Sequence, residues 1–523
     1  MSDPVPAAAS RTAHPPSAAA QALEHGMRTV SRRPTAALLL FVDGAGVFFG
    51  TLDQTVVVTV LPDIIKDIRL PINTKFGEAS WIVNGYLIGY TVSMPIVGRI
   101  ADVYGRVRIF LVAIAIFVAG SLMVAVAPNL PLLVAARGLQ AIGGGGLLPI
   151  ALAIAADATS TKRRTLVLGA LAAANNGSTF LGPVWGAAIS GAWNWRVIFW
   201  LNVPLLLPFM VAMPLLARDH RTGERQRIDW RAAVLLVAGL SALTFALTDD
   251  GANPRPLPVS LAVGTAGAIA LALFARAEWL NPRPMVDLRI LRVRHVSAAM
   301  LTYFLIGGAL ITALVNVPLM TDVLYGGSTT QGGLNLMRLL LLLPIGGLVG
   351  GWLATRAGNR PAVLLGLGFA FSGFIWMRAW PFVPGMAAAL PPSTWHLWGA
   401  LGAIGLGLGL CDGPIVATVL DAVSHRERAT ASALLLVVWT TGMIVGLALL
   451  ATQGLGTFTR RLADISFDDP NYQARFQGIM HRTFDETFLV AALALGVAFL
   501  LSLALQRGRA QEIIVAPYEG LGE

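Results

Sequence analysis

Long apolar stretches are the feature of this sequence that most restricts its fold. Each has about 20 residues or more, which is the length a helix needs to cross the hydrocarbon core of a bilayer. They lie near residues 36–61, 79–100, 108–127, 131–156, 165–190, 196–217, 230–249, 258–280, 296–325, 332–355, 361–380, 395–422, 429–456 and 484–506. No segment between them is long enough for a soluble catalytic domain. We therefore predict an all-α integral membrane protein with fourteen transmembrane helices.

The charged residues indicate the orientation of these helices. Only 13% of the residues are charged, against about 25% in a typical soluble protein. The net charge of +10 falls in short basic blocks, such as Arg106 with Arg108, on alternate sides of the apolar stretches. Because basic loops stay in the cytoplasm, we predict a multi-pass membrane protein with both termini cytoplasmic. A nucleic-acid-binding protein would gather its basic residues on one soluble module, so no nucleic-acid partner is expected.

Internal repeats divide the chain into related halves. "GRIADVYGR" begins at Gly98 after the second stretch, and "GWLATRAGNR" begins at Gly351 after the tenth. Asp157 and Asp421 stand at matching places in a second pair of segments, with an offset of 421 − 157 = 264. We predict six-helix halves at 35–217 and 295–506, a linker with two extra transmembrane helices at 218–294, a disordered cytoplasmic tail at 1–34 and a second tail at 507–523.

Several motifs carry a resemblance to a known family. "LDQTVVVTVLP" from Leu52, "GRIADVYGRVR" from Gly98, "RGLQAIGGGG" from Arg137 and "STFLGPVWGA" from Ser178 resemble the signatures of the major facilitator superfamily. The branch that they resemble is that of the fourteen-helix drug:proton antiporters. A narrower similarity, in "LLPIALAIAAD", "GWLATRAGNR" and "GLGTFTRRLADIS", is to mycobacterial efflux pumps that export triacylglycerides. The resemblance implies the major facilitator fold, a transporter rather than an enzyme, and energy from the proton gradient without a cofactor.

Asp53 lies in the middle of the first apolar stretch, where a carboxylate is costly. An ionisable residue in a membrane span usually faces the bundle interior and has a partner. Arg137 in the fourth stretch is the natural partner, and Gln140 follows one turn later. The resemblance assigns proton coupling to Asp53, Arg137 and Gln140, whereas the residues alone would also allow a static structural pair. Asp43, nearer the cytoplasmic end, is expected to be solvated.

Three further groups of residues are candidates for roles in transport. The cytoplasmic loop motif is expected to gate the helix ends or to act only as a topology anchor. The fifth-helix antiporter motif supplies small residues and a proline, which favour close packing and a kink. Polar and aromatic residues in the spans are candidates to line a cavity, although aromatic packing against lipid is the alternative for the tryptophan. The members are Gly98, Asp102, Gly105, Arg106 and Arg108 in the loop motif, Ser178, Gly182, Pro183 and Gly186 in the antiporter motif, and Trp81, Asn84, Asn175, Asn176, Asn316 and Asp412 in the cavity set.

These observations favour a proton-coupled exporter of hydrophobic or amphiphilic compounds that works by alternating access. The cargo would be a lipid such as a triacylglyceride, or a drug without any lipid role. A non-transporting membrane sensor is the alternative of another class, but no soluble signalling module is visible. The stretch 457–483 fits amphipathic helix ends that contact membrane lipids or an extracytoplasmic lipid-carrier protein, and it fits a plain polar loop equally well.

Overall fold

The computed structural model describes most of the predicted membrane region. The described residues are 33–70, 72–159, 161–216, 229–248, 256–281, 284, 286, 288–380, 393–423, 428–450, 454, 457–463 and 470–505. The predicted tails lie outside these ranges, except that the first helix already begins at Arg33.

The described part of the chain is helical almost throughout. The first group of helices is α1 (Arg33–Asp67), α2 (Ile72–Tyr104), α3 (Arg106–Val126), α4 (Leu130–Ala158), α5 (Thr161–Ala192) and α6 (Trp195–Leu216). Two helices follow in the linker, α7 (Trp230–Leu247) and α8 (Leu257–Leu280), and then a 3-10 turn at Leu288–Arg292. The second group is α9 (Arg294–Val323), α10 (Thr329–Ala357), α11 (Asn359–Arg378), α12 (Thr394–Leu420), α13 (Arg428–Leu449), the short α14 (Thr457–Ala463) and α15 (Tyr472–Ser502).

Eleven helices among the described residues are long and apolar enough to cross a membrane. Three other long helices, α2, α5 and α13, occupy the second, fifth and thirteenth predicted stretches but are not among these eleven. Within α13 the segment Leu434–Leu449 is apolar but too short to be included. The structure therefore confirms an all-helical membrane protein, and the count of fourteen spans stays a prediction.

The two groups of helices repeat the same packing pattern. Helix α4 packs between α2 and α3, as α12 packs between α10 and α11. Helix α1 packs on α5 and α6, as α9 packs on α13 and α15. Proline also occurs inside α1, α2 and α4 and inside their counterparts, at Pro62, Pro95 and Pro149 and at Pro318, Pro344 and Pro414. The repeated contacts support the two halves that the sequence motifs indicate.

The loop motif keeps its backbone geometry in both copies. Gly105 and Gly358 both have positive φ angles, of 109° and 93°, which residues with a Cβ rarely adopt. Each closes the preceding helix through its N–H, which donates to the carbonyl of Ala101 or Ala354, respectively. Glycine is therefore required at each of the two turns.

The halves meet along two seams, one between α2 and α13 and the other between α5 and α10. The inserted helix α7 packs against both α2 and α13, so the linker pair lies beside the first seam. The end of the bundle where α1 ends and α2 begins is called the α1–α2 end below, and the opposite end is called the α2–α3 end.

The last long helix begins earlier than the apolar stretch predicted. Helix α15 starts at Tyr472 rather than near residue 484. Its first three turns are mainly polar, so a prediction based on hydropathy does not include them. Phe476 packs edge-on against the buried Phe458 of α14, with ring centroids 5.6 Å apart. Helical ends are thus present at 457–463 and from 472 onward, and the plain polar loop is wrong for these residues.

Candidate functional site

An ion pair lies buried inside the first half. Asp53 on α1 and Arg137 on α4 are each 1% exposed, and Arg137 Nη1 donates a hydrogen bond to Asp53 Oδ2. Helix α4 passes α1 closely because the chain has glycine where the helices meet. A Cβ on Gly50, for example, would lie 2.6 Å from Leu147. The predicted pair is present in the structure.

Amide and hydroxyl groups surround this pair. Gln140 accepts a hydrogen bond from Arg137 Nη1 at 2.6 Å, and its amide donates to Ser121 Oγ on α3 at 2.5 Å. Asn202 on α6 donates to the same Ser121 oxygen at 2.9 Å and to Asp53 Oδ1 at 3.3 Å. The network thereby joins α1, α3, α4 and α6, and it includes Gln140 as predicted.

An aromatic side chain completes the site. The guanidinium carbon of Arg137 lies 4.0 Å from the centroid of the Tyr86 ring, where the electron-rich face attracts a cation. The Tyr86 hydroxyl donates to the carbonyl oxygen of Gly50 at 3.2 Å. Sequence reasoning missed Tyr86, Ser121 and Asn202. Asn202 lies in "NWRVIFWLNVP" as a lone polar residue in an apolar span, which is the one signal that could have marked it.

Such a site has two chemically distinct states. A buried charge is tolerated only with a partner, and the removal of one partner strongly destabilises the other. A proton on Asp53 would neutralise the carboxylate and leave Arg137 with the Gln140 oxygen and the Tyr86 ring. The geometry can therefore couple the protonation of one residue to the packing of four helices.

The antiporter motif forms the contact surface between α5 and α1. A Cβ on Gly182 would collide with the Thr55 hydroxyl, and a Cβ on Gly186 would lie 3.0 Å from the Val56 carbonyl oxygen. Pro183 lies inside α5, and the Ser178 hydroxyl donates to the carbonyl of Asn175 on its own helix. The predicted close packing is confirmed.

The loop motif lies at the α2–α3 end. Arg106 Nη1 donates to the Ala153 carbonyl oxygen of α4 at 3.2 Å, and Arg108 is exposed. Gly98 faces Pro149 on α4, since a Cβ there would lie 3.7 Å from the proline ring. The side chain of Asp102 lies outside the described residues, so its part in a gate stays a prediction.

The candidate cavity residues fall into different surroundings. Asn84 is fully buried, Trp81 is half-buried, and Asn175 accepts from Thr51 at 2.9 Å. Asn316 is buried and donates to its own helix at Thr312, whereas the side chain of Asn176 is outside the described residues. Asp412 on α12 is partly exposed and accepts from the Tyr303 hydroxyl at 2.6 Å.

The expectation that Asp43 is solvated is wrong. The residue is fully buried, and within the described part of the chain neither of its carboxylate oxygens has a hydrogen-bond partner. The error arose because α1 begins at Arg33, so Asp43 lies three turns inside the helix rather than at its end. Neighbouring residues Val42 and Val47 belong to a buried apolar cluster with Phe110 and Ile150.

Polar contacts join the two halves at the α1–α2 end. Asp63 accepts from Ser190 of α5 in its own half and from Thr329 of α10 in the other half, the latter at 2.7 Å. Lys66 pairs with Asp322, near the end of α9, at 2.8 Å. The Asp63 carboxylate thus lies at the N-terminus of α10, the positive end of its dipole, and the Lys66 ammonium lies at the C-terminus of α9, the negative end. Both placements are electrostatically favourable.

Comparisons with known proteins agree with this fold. A triacylglyceride transporter of Mycolicibacterium smegmatis is 36% identical over 449 residues, which cover 84% of this chain and 79% of the relative. A triacylglyceride transporter of Mycobacterium tuberculosis is 33% identical over 492 residues, with coverages of 88% and 92%. A solved bacterial homologue of the human lysosomal transporter Spinster, inward-facing and unoccupied, has a TM-score of 0.58 and 16% identity over 90% of this chain and 98% of that chain.

The match to a family model extends from helix α1 to helix α13. The model is described as Major Facilitator Superfamily and covers residues 44–447. This range includes the buried Asp53–Arg137 pair, the loop motif and the antiporter motif, and most of both repeated halves. The chain is a non-enzymatic, multi-pass membrane transporter that belongs to the major facilitator superfamily.

Proposed function

We propose that the protein exports an acylglyceride-class lipid from the bacterial inner membrane in exchange for protons, by alternating access of its two halves. The names of the similar mycobacterial transporters support a lipid cargo. The arginine-rich blocks support cytoplasmic termini, because basic loops stay on that side. An extracytoplasmic lipid-carrier protein would receive the cargo near α14 and the start of α15.

The observation that carries the coupling part is the buried Asp53–Arg137 pair. The burial of two charges costs about as much as their attraction returns, so an ion pair held from four helices needs a reason beyond stability. A proton that enters from outside would release Arg137 from Asp53 and loosen α1 against α4. The loss of that proton to the cytoplasm would restore the pair.

The coupling is tested by transport in proteoliposomes across an imposed pH gradient. Asp53→Asn should abolish the dependence of lipid export on the gradient, because the amide takes up no proton. Asp485→Asn, which changes a partly exposed carboxylate that pairs with Arg378, is the control and should keep it. Unchanged pH dependence in Asp53→Asn would refute the proposed role.

Alternating access is supported by the contacts at the α1–α2 end. Asp63 and Lys66 hold the end of α1 against α9 and α10 of the other half, and an exposed ion pair of this kind contributes only about 0.2–1 kcal/mol. Such weak contacts suit an end that must open in every cycle. Burial raises the pKa of Tyr325, in the turn between α9 and α10, to about 12, so this phenol stays neutral at physiological pH.

A cross-link tests whether this end opens. In a background without Cys411, the chain's single cysteine, a short and reducible thiol-specific cross-linker should join Lys66→Cys to Asp322→Cys and block transport until it is reduced, because a lysine side chain reaches farther than a direct disulfide allows. Asp67→Cys with Arg196→Cys is the matched control, since these residues pair α1 with α6 of the same half, and it should leave transport intact. Full transport with the first pair cross-linked would contradict alternating access at this end.

A second candidate function is the export of lipophilic cationic drugs. The Asp412 carboxylate accepts a hydrogen bond from the Tyr303 hydroxyl, and the ring of Tyr303 stacks on Trp439 with centroids 6.3 Å apart. A carboxylate beside aromatic rings attracts organic cations. Asp412→Asn should then reduce export of a lipophilic cation at least tenfold and leave lipid export unchanged. Equal effects on both cargoes would argue against the drug role.

A further inference from the structure

Two buried amides in the first half lack hydrogen-bond partners among the residues that the structure describes. Asn84 on α2 is fully buried, and neither its nitrogen nor its oxygen has a partner. Gln54 on α1 is 6% exposed, and its amide nitrogen has none. Both atoms of the Asn84 amide are unpaired, so an exchange of their assignment does not change the observation.

These amides lie at about the same level of the bundle. Tyr86 of α2 donates to the carbonyl of Gly50 on α1, which fixes the register of the two antiparallel helices. Gln54 lies four residues after Gly50 on α1, and Asn84 lies two residues before Tyr86 on α2. Because the helices are antiparallel, both positions lie on the same side of that contact. At a rise of about 1.5 Å per residue the two positions differ in height by about 3 Å.

The amide of Asn84 also lies on the face of α2 that meets the other half. Thr91 follows two turns later on the same face, and its hydroxyl donates to Thr440 of α13 at 2.7 Å. Asn84 is therefore positioned between the halves, where an alternating-access transporter holds its cargo. Its neighbour Trp81 is one turn earlier on this face and half-buried.

An unpaired buried amide is unfavourable, and the loss is not recovered within this conformation. A buried donor without an acceptor loses its hydrogen bonds to water and gains nothing in exchange. Replacement by an apolar residue of similar shape would remove that loss. Two such residues on adjacent helices therefore indicate a partner that arrives from outside the protein.

We propose that Asn84 and Gln54 form a polar subsite that binds the ester carbonyl oxygens of the cargo. This inference rests on the proposed lipid export and names the chemistry that the site recognises. An acylglyceride with all positions esterified has hydrogen-bond acceptors and no donors. The unpaired nitrogens of Asn84 and Gln54 are hydrogen-bond donors, so they complement the carbonyl oxygens of an ester.

The first test is the stability of the full-length protein without cargo. Asn84→Leu should raise the midpoint of thermal unfolding in detergent by about 2 °C, because it removes an unsatisfied buried amide. Asn359→Leu is the matched control. The amide of Asn359 is buried but donates to Thr418 at 3.1 Å, so this change should lower the midpoint. A fall in the midpoint for Asn84→Leu would show that the amide is already satisfied and would overturn the proposal.

The second test compares a triacylglycerol with the trialkyl ether of the same chain lengths, which lacks carbonyl groups. By native mass spectrometry the wild type should bind the ester about fivefold more tightly than the ether. Asn84→Leu and Gln54→Leu should each lower that preference and leave binding of the ether unchanged.

The outcomes separate the two proposals. Equal binding of ester and ether by the wild type would overturn the subsite and leave lipid export standing. If the wild type bound neither the triacylglycerol nor the trialkyl ether, the proposed lipid cargo itself would be refuted. An ester preference that survives in the double variant Gln54→Leu/Asn84→Leu would place the recognition of the carbonyls elsewhere.

Discussion

The two halves of this transporter share a backbone plan but differ in the chemistry of their interiors. In the first half, Gly120 of α3 allows the backbone of Gln140 on α4 to approach, and in the second half Gly373 of α11 does the same for Ile404 of α12. The offset of 264 residues places Leu401 opposite Arg137 and Ile404 opposite Gln140, and both of these apolar residues are fully buried. The repeat thus preserves how the helices touch, while among the described residues the Asp53–Arg137 network has no counterpart at the matching positions of the second half.

The difference shows that the polar network is not needed to assemble six such helices. Leu401, Ile404 and Phe374, the last at the position of Ser121 with an offset of 253, fill the matching space in the second half with apolar atoms. A fold that packs without the network in one copy must keep it in the other for a different reason. Proton coupling is the reason that we propose above.

The largest expected effect on stability comes from replacing Arg137 by leucine, the residue at the matching position of the second half. Arg137→Leu should destabilise the protein by about 3–5 kcal/mol, because it leaves Asp53 buried without its partner. Asp53→Leu combined with Arg137→Leu should recover most of this stability, as apolar packing does in the second half. Thermal unfolding in detergent measures both. A double variant no more stable than Arg137→Leu would show that the halves differ in more than this pair.

An intermediate effect should appear equally in both halves. Gly120→Ala and Gly373→Ala should each cost about 1–3 kcal/mol, since the new methyl group overpacks a backbone contact that both halves share. Gly138→Ala and Gly368→Ala are controls on α4 and α11, where a Cβ would meet nothing within 4 Å. A large cost in only one half, measured by thermal unfolding, would break the proposed equivalence of the two contacts.

The smallest effect tests the edge of the network. Ser121→Ala removes the oxygen that accepts from Gln140 and Asn202, and it should cost about 1–2 kcal/mol because two buried donors lose their partner. Ser372→Ala on α11 should have almost no effect, since that exposed hydroxyl bonds only to Phe369 of its own helix. Equal shifts in the unfolding midpoint of both variants would mean that Ser121 contributes little to the network.

The sequence predicted the main pair but not its surroundings. Asp53 and Arg137 could be predicted because a charge in an apolar span must find an opposite charge. The contacts of Ser121 and Asn202 could not, because they depend on the rotation of α3 and α6 about their axes, although Asn202 stands out as a lone polar residue in an apolar span. In a membrane helix the side that faces lipid and the side that faces other helices are both apolar. A single sequence therefore indicates only weakly which side packs against the protein.

The fold itself was predicted well where hydropathy is decisive and less well at the ends of helices. The repeat motifs indicated a correspondence between helices that the repeated contacts support, and the start of α15 was missed because helical turns outside the bilayer can be polar. The place of Asn84 among the cavity candidates stays a prediction, and its lack of hydrogen-bond partners among the described residues is visible only when the packing of α2 is known.

The turns at Gly105 and Gly358 have a consequence for how the loop motif can be studied. The first copy carries Asp102 three residues before its glycine, while the second has Thr355 at the matching place, and both turns keep a positive φ. One molecule therefore contains the same hinge shape with and without the acidic residue. Exchanging Asp102 and Thr355 between the copies would separate the part of conformational switching that belongs to backbone shape from the part that belongs to charge, with each turn serving as the internal standard for the other.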